Sequence, residues 1–497
     1  MKVKLISFYN RFNEYPTKYS LGTLRLAAYM AQNNKLDIGI VPIDSEKEIT
    51  KDVINELAKD SPEIIGIPNF MWTEKKAQKI SKEVKKINPN IIRVVGGPST
   101  PDVEFKDWQS DEIFVLGEGE EALLKICEEK LKKPEFNSKQ IEQLKLSNVF
   151  SEAKNLTNRH VLYTNTDIPK GIPLFSSKIE NMKQDKKKEN FAWYETTRGC
   201  AYNCGYCGHK TRNNLGHIDL ENVEQEIKNI RGQGIKRLFI VDPIVGGTKE
   251  NGKKILKTCN EEIPDTKIIA YLRPEMLDDE YVDILSNCNL EEMRFGIQTL
   301  NPEVPGWVRS NSIKKIQEEL KKLYGKKVNW RAELIVGLPG DNLQGLKNTV
   351  RTVINEFQPT VLAGYHLTAI KGTRLYNLVD ETDKEKWLKI DEDSQVKESY
   401  SFTEEEFKKM SRYSVITLGL YNVLKQTFPY KLIDYDKLVQ YIKQNIGNDI
   451  DYKKVEQFDT EYIEQYWKSK LKEKNHEKTY NNKTWGVGSE QKEDYSR

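Results

Sequence analysis

The segment Glu195-Thr-Thr-Arg-Gly-Cys200-Ala-Tyr-Asn-Cys204-Gly-Tyr-Cys207-Gly208 places three cysteines in the spacing C-x3-C-x2-C. Three thiolates from one loop can bind three irons of a cubane [4Fe–4S] cluster, which leaves the fourth iron open to a small molecule. A structural zinc site would need a fourth ligand, usually Cys or His, and His209 is close enough in sequence to supply it. Both sites are compatible with the motif, and the strand and helix pattern around it favours the cluster.

The other three cysteines, Cys127, Cys259 and Cys288, are scattered along the chain. Six cysteines in 497 residues do not make a disulfide framework. We expect these three to be ordinary buried thiols.

A series of apolar strands alternating with amphipathic helices begins just before the cysteines. Helices are predicted between the strands, for example Leu220–Gly232 and Leu343–Phe357. Six β/α units predict a full or partial TIM-like barrel, in which the chemistry lies at the carboxyl ends of the strands. The predicted strands are Phe191–Thr196, Arg237–Val241, Lys267–Leu272, Glu292–Gly296, Asn329–Val336 and Val361–Leu367.

The N-terminal part of the chain shows a similar alternation, which predicts a doubly wound, Rossmann-like parallel sheet. Gly96-Gly97, Gly117 and Gly119 follow apolar strands, where glycines let a flat or phosphate-bearing ligand approach the backbone. A domain with no ligand, or with a nucleotide-like ligand, is the alternative. Strands are predicted at Lys2–Phe8, Ile38–Ile43, Glu63–Ile67, Ile91–Val95 and Glu112–Leu116, and helices at Leu21–Gln32, Lys51–Lys59, Thr73–Ile87 and Glu120–Leu131.

The predicted α/β organisation therefore has four parts. Residues 1–150 form the N-terminal sheet domain, 151–190 an exposed linker, 191–376 the partial barrel, and 377–497 a mostly helical cap with a polar tail.

The composition limits the classes of partner. Hydrophobic residues make up 37% and charged residues 31% of the chain, and 78 lysines and arginines nearly balance 75 acidic residues. This balance gives no support for nucleic-acid or membrane binding driven by bulk charge. No run of about 18 apolar residues occurs, and the N-terminus leads into a strand instead of a signal peptide. We expect a cytoplasmic protein with no nucleic-acid or membrane partner.

The cysteine motif and the strands after it resemble the radical S-adenosylmethionine (SAM) superfamily, over roughly Phe191 to Tyr376. In that family the open iron binds SAM, and one electron cleaves SAM to methionine and a 5′-deoxyadenosyl radical. Further matching segments end the later strands: Phe239–Pro243, Leu272–Glu275, Phe295–Asn301, Glu333–Asp341 and Lys371–Thr373. The resemblance implies SAM contacts at Tyr206, Gly208, Asp242, Arg273, Glu275, Gln298, Thr299 and Glu333. A structural polar role is the alternative for Asp242, Gln298 and Glu333.

The N-terminal domain resembles the cobalamin-binding domain that precedes the barrel in one large branch of this family. Cobalamin proteins of the mutase and methionine synthase type bind cobalt with a histidine of a D-x-H-x-x-G loop, but this motif is missing here and all five histidines follow residue 150. The resemblance therefore implies no histidine ligand, a dimethylbenzimidazole tail threaded into the sheet, and a lower corrin face against Phe70, Met71 or Trp72. The implied cobalamin contacts are Leu21, Phe70, Met71, Trp72, Gly96, Gly97, Pro98, Ser99, Gly117, Glu118, Gly119 and Glu120.

These resemblances imply a cobalamin-dependent radical SAM methyltransferase. It would methylate an unreactive carbon of a small natural-product or peptide substrate, through the 5′-deoxyadenosyl radical and methylcobalamin, with a one-electron reductant such as flavodoxin or ferredoxin. No protein acid or base is identified. A non-methylating oxidation, cyclisation or rearrangement and a non-catalytic corrinoid-binding protein are the alternatives. A methylthiotransferase is rejected, because only Cys127 precedes residue 200 and could bind the second cluster of that class.

Overall fold

The structure is a computed structural model, and the part of the chain that it describes has several gaps. The described residues are 1–9, 19–31, 33–70, 72–97, 108, 111–144, 149–150, 191–211, 216–217, 220–232, 234–370, 372–376, 388–392, 394–429, 431–447, 450–451, 454–455 and 459–475.

The chain divides into two compact units. Unit 1 comprises Met1–Ala201, Thr211–Asp242 and Glu261–Lys267, and unit 2 comprises Tyr202–Lys210, Pro243–Asn260 and Ile268–Arg497. The domain boundaries at residues 150, 190 and 376 stay a prediction, and the predicted linker 151–190 lies outside the described residues.

The N-terminal sheet of unit 1 has six strands in the order β2-β1-β3-β4-β5-β6. Strands β1 to β5 are parallel, and β6 pairs with β5 in the antiparallel direction. The elements are β1 (Lys2–Tyr9), α1 (Leu21–Met30), β2 (Asp37–Asp44), α2 (Lys51–Ala58), β3 (Ile64–Pro68), α3 (Glu74–Ile87), β4 (Ile92–Gly96), β5 (Ile113–Val115), α4 (Glu120–Lys132) and β6 (Val149–Phe150).

Helices cover both faces of this sheet. One core cluster joins the strands to α1 and α4 through residues such as Leu24 and Ile126, and a second joins them to α2 and α3 through residues such as Ile54 and Ile80. The sheet is therefore doubly wound, as predicted. In the order 2-1-3-4-5 the direction of winding changes between β1 and β3, and ligands of such sheets bind at the carboxyl ends of those strands.

The second series of strands and helices also follows the prediction. In unit 1, β7 (Phe191–Tyr194) pairs in parallel with β10 (Arg237–Ile240), and β8 (Thr197–Arg198) pairs with β9 (Gly216–His217). In unit 2, β11 to β14 pair in parallel in chain order. The remaining elements are α5 (Leu220–Gly232), α6 (Lys249–Glu262), β11 (Lys267–Leu272), α7 (Asp279–Asn287), β12 (Leu290–Gln298), α8 (Ile313–Leu320), β13 (Trp330–Val336), α9 (Leu343–Thr352) and β14 (Val361–His366).

The C-terminal part of unit 2 is mostly helical, as predicted, but it also contains a two-stranded ribbon that the sequence did not reveal. Its helices are α10 (Glu404–Thr427), α11 (Tyr435–Asn445) and α12 (Thr460–Asn475). The ribbon pairs β15 (Leu388–Ile390) with β16 (Val396–Ser399) in the antiparallel direction. Strands of three and four residues carry too few alternations for periodicity to detect.

Candidate functional site

The backbone that leads into Cys200 is fixed in unit 1 by Asp242, which follows β10. One carboxylate oxygen of Asp242 accepts the backbone N–H groups of Thr196 and Thr197, at 2.7 and 3.0 Å, and the other accepts the Thr196 hydroxyl. Asp242 is buried, and its predicted SAM contact competes with this structural role. Gly199 then adopts a φ of 84°, a conformation that glycine permits and that turns the chain toward Cys200.

The side chain of Arg198 lies among three carboxylates of unit 1. Its Nη2 is 2.6 Å from Glu120, its Nε donates to both oxygens of Glu195 at 3.0 Å, and its Nη1 donates to Glu118. Burial alone would raise the pKa of Glu120, but the charge of Arg198 outweighs it and holds that pKa below its usual value. Glu118 and Glu120, both predicted to contact cobalamin, are therefore engaged with the segment that precedes Cys200.

The thiol of Cys204 is buried in unit 2 beside two arginines. Its Sγ is 3.3 Å from Nη1 of Arg309 and 3.8 Å from Nη1 of Arg273. Burial by itself would raise the pKa of Cys204, but the charges of Arg309 and then Arg273 lower it overall. By contrast, burial raises the pKa of Cys127 to about 12. The surroundings of Cys204 thus favour the thiolate, the form that binds iron.

The loop from Cys204 to Cys207 approaches the backbone of unit 2 closely. Gly205 donates its N–H to the carbonyls of Trp307 and Val308, both at 3.0 Å. A Cβ at position 205 would lie 2.8 Å from the Trp307 carbonyl oxygen, so only glycine allows this approach. Cys207 closes the turn by donating its N–H to the Cys204 carbonyl at 3.1 Å.

The cysteines show no sign of a different bonding arrangement. All six belong to the described residues, and none is in a disulfide. Among the described residues, no three His, Cys, Asp or Glu side chains converge as the ligands of one metal ion would. The thiolates of a cubane cluster bind different irons and need not converge in that way. Cys127, Cys259 and Cys288 are buried, as expected.

The predicted SAM residue Arg273 is held in a fixed position after β11. It forms an ion pair with Glu275 at 2.6 Å, and its Nη2 donates to the Ser310 carbonyl at 2.5 Å. Its guanidinium lies 3.7 Å from the ring centre of Tyr202. The sequence therefore identified a pair, Arg273 and Glu275, that the structure brings together next to Cys204.

The end of β12 carries the predicted SAM residues Gln298 and Thr299. Gln298 has a φ of 68°, and the pairing with β13 shifts register just before it, so the strand ends in an irregular turn. Thr299 takes part in a buried network in which Asn301 donates to Asp341 at 2.8 Å. A cavity of about 330 Å³ opens beside Thr299 and Arg309. Tyr206 and Gly208, which lie in the cysteine loop, are half-buried.

Glu333 occupies one face of the sheet formed by β11 to β14, together with charged and phenolic groups. Arg294 bonds Glu292 at 2.6 Å and the Tyr271 hydroxyl at 3.2 Å, and Arg331 lies 2.9 Å from Glu292. Burial raises the pKa of Glu333, although the charges of both arginines oppose the shift. Within the described residues no hydrogen bond to the Glu333 carboxylate is present, and its interaction with Arg294 and Arg331 is through charge.

The predicted cobalamin residues that are described lie at the carboxyl edge of the N-terminal sheet. Leu21 begins α1 after β1, Phe70 and Trp72 follow β3, and Gly97 follows β4 with a φ of 130°. The rings of Phe70 and Trp72 stack at 5.1 Å, and Trp72 is 70% exposed. Gly96, Gly117 and Gly119 lie at the same edge, whereas Met71, Pro98 and Ser99 lie outside the described residues.

Three residues at these sites were not identified from sequence. The side chain of Asn69 is fully buried at the end of β3, and neither of its polar atoms has a hydrogen-bond partner. Arg309 contacts Cys204 although the two are 105 positions apart in the sequence, and Arg198 contacts Glu118 although they are 80 positions apart. No local spacing marks such partners, although Arg198 does lie within the cysteine segment itself.

The residues present fit three cofactors. The buried thiol of Cys204 beside two arginines fits an anionic iron–sulfur cluster. The fixed Arg273–Glu275 pair beside it can meet the carboxylate and amino groups of SAM. At the N-terminal sheet, the unpartnered amide of Asn69, the aromatic pair and the glycine edge fit a large flat ligand with polar substituents.

Comparison with known proteins finds two family models that match parts of this chain. Residues 194–353 match the radical SAM superfamily, and residues 17–126 match the B12 binding domain. An uncharacterised methyltransferase of Pyrococcus horikoshii is 24% identical over 425 residues, which cover 80% of this chain and 87% of the relative. The cobalamin-dependent radical SAM methyltransferase TokK of Streptomyces tokunonensis is 25% identical over 194 residues, which cover 37% of this chain and 28% of TokK.

Two solved structures share the fold. The cobalamin-dependent SAM radical enzyme OxsB, with aqua-cobalamin bound, has a TM-score of 0.67 at 15% identity and covers 96% of this chain and 80% of its own. The radical SAM methyltransferase TsrM of Kitasatospora setae has a TM-score of 0.59 at 14% identity and covers 78% of this chain and 77% of its own. Among the helices in the described ranges, none is long and apolar enough to cross a membrane.

Proposed function

The chain is a radical SAM protein with a B12-binding domain, and we propose that it methylates an unreactive carbon of a small natural-product or peptide substrate. Its cofactors are a [4Fe–4S] cluster, SAM and cobalamin. The observation that carries the proposal is the presence in one chain of a glycine-edged, doubly wound sheet and a cysteine loop whose Cys204 lies beside Arg309 and Arg273.

The protein groups act by binding and orienting. Cys200, Cys204 and Cys207 would bind the cluster, and Arg309 and Arg273 would balance its negative charge. When bound, the cluster and SAM supply a radical that removes hydrogen from the substrate carbon, and cobalamin supplies the methyl group. Arg273 and Glu275 would fix the charged end of SAM, because their own ion pair and the Ser310 carbonyl hold them in place.

The N-terminal sheet would hold cobalamin at the carboxyl ends of β1, β3 and β4. Phe70 and Trp72 would present an apolar face to the corrin, which disfavours water at the cobalt. Asn69 would bond a polar substituent of the ligand and so satisfy an amide that no described residue satisfies. No histidine of residues 1–150 is available to bind cobalt, since none occurs there.

The polar face of β11 to β14 would orient the substrate. Arg294 and Arg331 are already held by Glu292, so Glu333 is the group left to bond a donor of the substrate. These polar contacts would hold the substrate in place. The reaction at its carbon would need no acid or base from the protein.

The test is anaerobic reconstitution with iron, sulfide and hydroxocobalamin, followed by metal analysis and product counting. We expect about four irons and one cobalt per chain. With a one-electron reductant of the flavodoxin or ferredoxin type and a substrate, we expect S-adenosylhomocysteine and 5′-deoxyadenosine in equal amounts. Cys204→Ala should lose the iron, whereas Cys288→Ala, at a buried cysteine outside the motif, should keep it.

The other outcomes would each contradict a defined part of the proposal. Iron and cobalt with 5′-deoxyadenosine but no S-adenosylhomocysteine would indicate a non-methylating reaction. Four irons without cobalt would remove the methyl-transfer chemistry altogether. Zinc in place of iron would contradict the cluster.

A further inference from the structure

The segment that precedes Cys200 is held from within unit 1 by two arginines that connect it to the predicted corrin-binding edge. Arg198 lies in this segment and reaches Glu118 and Glu120, in the loop between β5 and α4. Arg25 lies on α1 and donates to the Glu195 carbonyl at 3.0 Å. Both of these connections end on elements that carry predicted cobalamin contacts.

This ionic cluster is buried. The side chains of Arg198, Glu118, Glu120 and Glu195 are between 8% and 15% exposed. Arg198 is the shared partner of all three carboxylates, and its planar guanidinium uses different N–H groups for each of them. Separating one partner would leave an uncompensated buried charge, which is strongly destabilising. The ion pairs of Arg198 therefore link the β5–α4 loop directly to the segment that precedes Cys200.

Cys200 is two residues beyond Arg198, with only Gly199 between them. A ligand that fixes the β5–α4 loop fixes Arg198, and so reduces the freedom of the Cys200 backbone. The effect is reciprocal, because two binding events coupled through one element must change each other's affinity by the same factor.

We propose that Arg198 couples the two cofactor sites, so that cobalamin at the β5–α4 loop preorganises Cys200 for the cluster and the cluster in turn tightens cobalamin binding. Arg198 is a positioning residue, since it acts through Cys200 and through Glu118 and Glu120. The proposal rests on the cofactor assignments made above.

The test measures the Kd of methylcobalamin in the dark, by its absorbance change, for the cluster-loaded and the metal-free full-length chain. In the wild type we expect the loaded chain to bind about five-fold more tightly or better. Arg198→Lys keeps the positive charge but loses the planar guanidinium. In this variant and in Glu118→Gln, the ratio of the Kd of the metal-free chain to the Kd of the loaded chain should fall towards one. Glu118→Gln serves as the milder variant if Arg198→Lys does not fold.

A matched control is Arg93→Lys, at a buried arginine in β4 of the N-terminal sheet, whose Nη2 is 2.6 Å from Asp111. This variant should keep the wild-type ratio of Kd values. Release of iron to a chelator gives an independent readout, because methylcobalamin should slow it in the wild type and in Arg93→Lys but not in Glu118→Gln.

The failures are distinguishable. A wild-type chain that binds methylcobalamin equally well with and without the cluster overturns the coupling and leaves the proposed function intact. An unchanged ratio in Arg198→Lys and Glu118→Gln also overturns it, since the coupling would then run through other residues. A loaded chain that binds no cobalamin overturns the proposed function, and the coupling with it.

Discussion

At the scale of single residues, Arg309 is the group with the largest expected effect on the cluster. It is buried, it donates to the Cys204 sulfur at 3.3 Å, and it also bonds the Gly296 carbonyl at the irregular end of β12. A positive charge and an N–H donor at a ligating sulfur stabilise the reduced, more negative cluster.

Arg309→Gln should therefore make the midpoint potential of the cluster more negative. We expect a shift on the order of 60 mV, which corresponds to about 1.4 kcal/mol for one electron. The measurement is a redox titration followed by electron paramagnetic resonance. Arg351→Gln, which removes an exposed partner of Asp436, should leave the potential unchanged. An unaltered potential in an Arg309→Gln variant with full iron content would show that this arginine serves packing alone.

Lys425 is a second residue with a defined consequence, this time for stability. It is 6% exposed on α10 and donates to the Lys431 carbonyl at 3.1 Å. Burial lowers its pKa to about 8 from 10.5. Because the folded pKa lies below the unfolded one, the unfolded chain binds more protons between these values, and stability rises with pH across that window.

Lys425→Met should raise the thermal midpoint at pH 7, by the equivalent of about 1–3 kcal/mol. The gain should shrink as the pH rises above 8, since the wild-type lysine is then neutral in the folded chain. Calorimetry at pH 7 and pH 9 provides the comparison. Lys409→Met, at a lysine 58% exposed on the same helix, should change little at either pH. A gain of equal size at both pH values would mean that protonation of Lys425 is not the cause.

At the scale of elements, α10 and α12 approach closely at Gly419. Glycine inside a helix costs about 1 kcal/mol relative to alanine. A Cβ at position 419 would nevertheless lie 2.7 Å from Cγ2 of Ile463, on a stiff β-branched side chain. The glycine is therefore explained by helix packing, not by helix propensity.

Gly419→Ala should lower the thermal midpoint, because overpacking typically costs about 1–3 kcal/mol and outweighs the gain in propensity. Gly232→Ala is the control: this glycine ends α5, and no atom lies within 4 Å of the added Cβ. The control should be neutral or slightly stabilising. Equal changes of the thermal midpoint in the two variants would show that the close contact with Ile463 does not restrict position 419 to glycine.

The elements also show how far sequence could predict this structure. The strands β1 to β5, β7 and β10 to β14, and the helices for which the sequence analysis gave a range, were predicted to within five residues, because buried parallel strands and amphipathic helices have strong periodicities. The strand β6, the ribbon of β15 and β16 and the short pair of β8 and β9 were not predicted, since strands of two to four residues carry little pattern. The same limit applies to the sites: the cysteine spacing is local, whereas the pairing of Arg198 with Glu118 exists only after folding.

At the scale of the whole molecule, cofactor binding should appear as stability. A ligand present at 100 times its Kd stabilises the folded chain by about 2.7 kcal/mol. Methylcobalamin should therefore raise the thermal midpoint in a concentration-dependent way.

Cobinamide, which lacks the nucleotide tail, tests whether the N-terminal sheet binds that tail. If the tail is threaded into the sheet, cobinamide should give a much smaller shift at the same concentration. Equal shifts for the two corrinoids, measured by calorimetry, would place the tail outside the sheet.

The stacked pair of Phe70 and Trp72 has an optical consequence. Trp72 is the one tryptophan of the described residues that is largely exposed, and its indole should emit at the long wavelengths typical of a hydrated ring. A corrin laid against it would absorb in the same spectral region and quench that emission by energy transfer. If the corrin binds against Trp72 as proposed, this emission reports cofactor loading and allows the apo and corrinoid-bound forms to be followed without any attached dye.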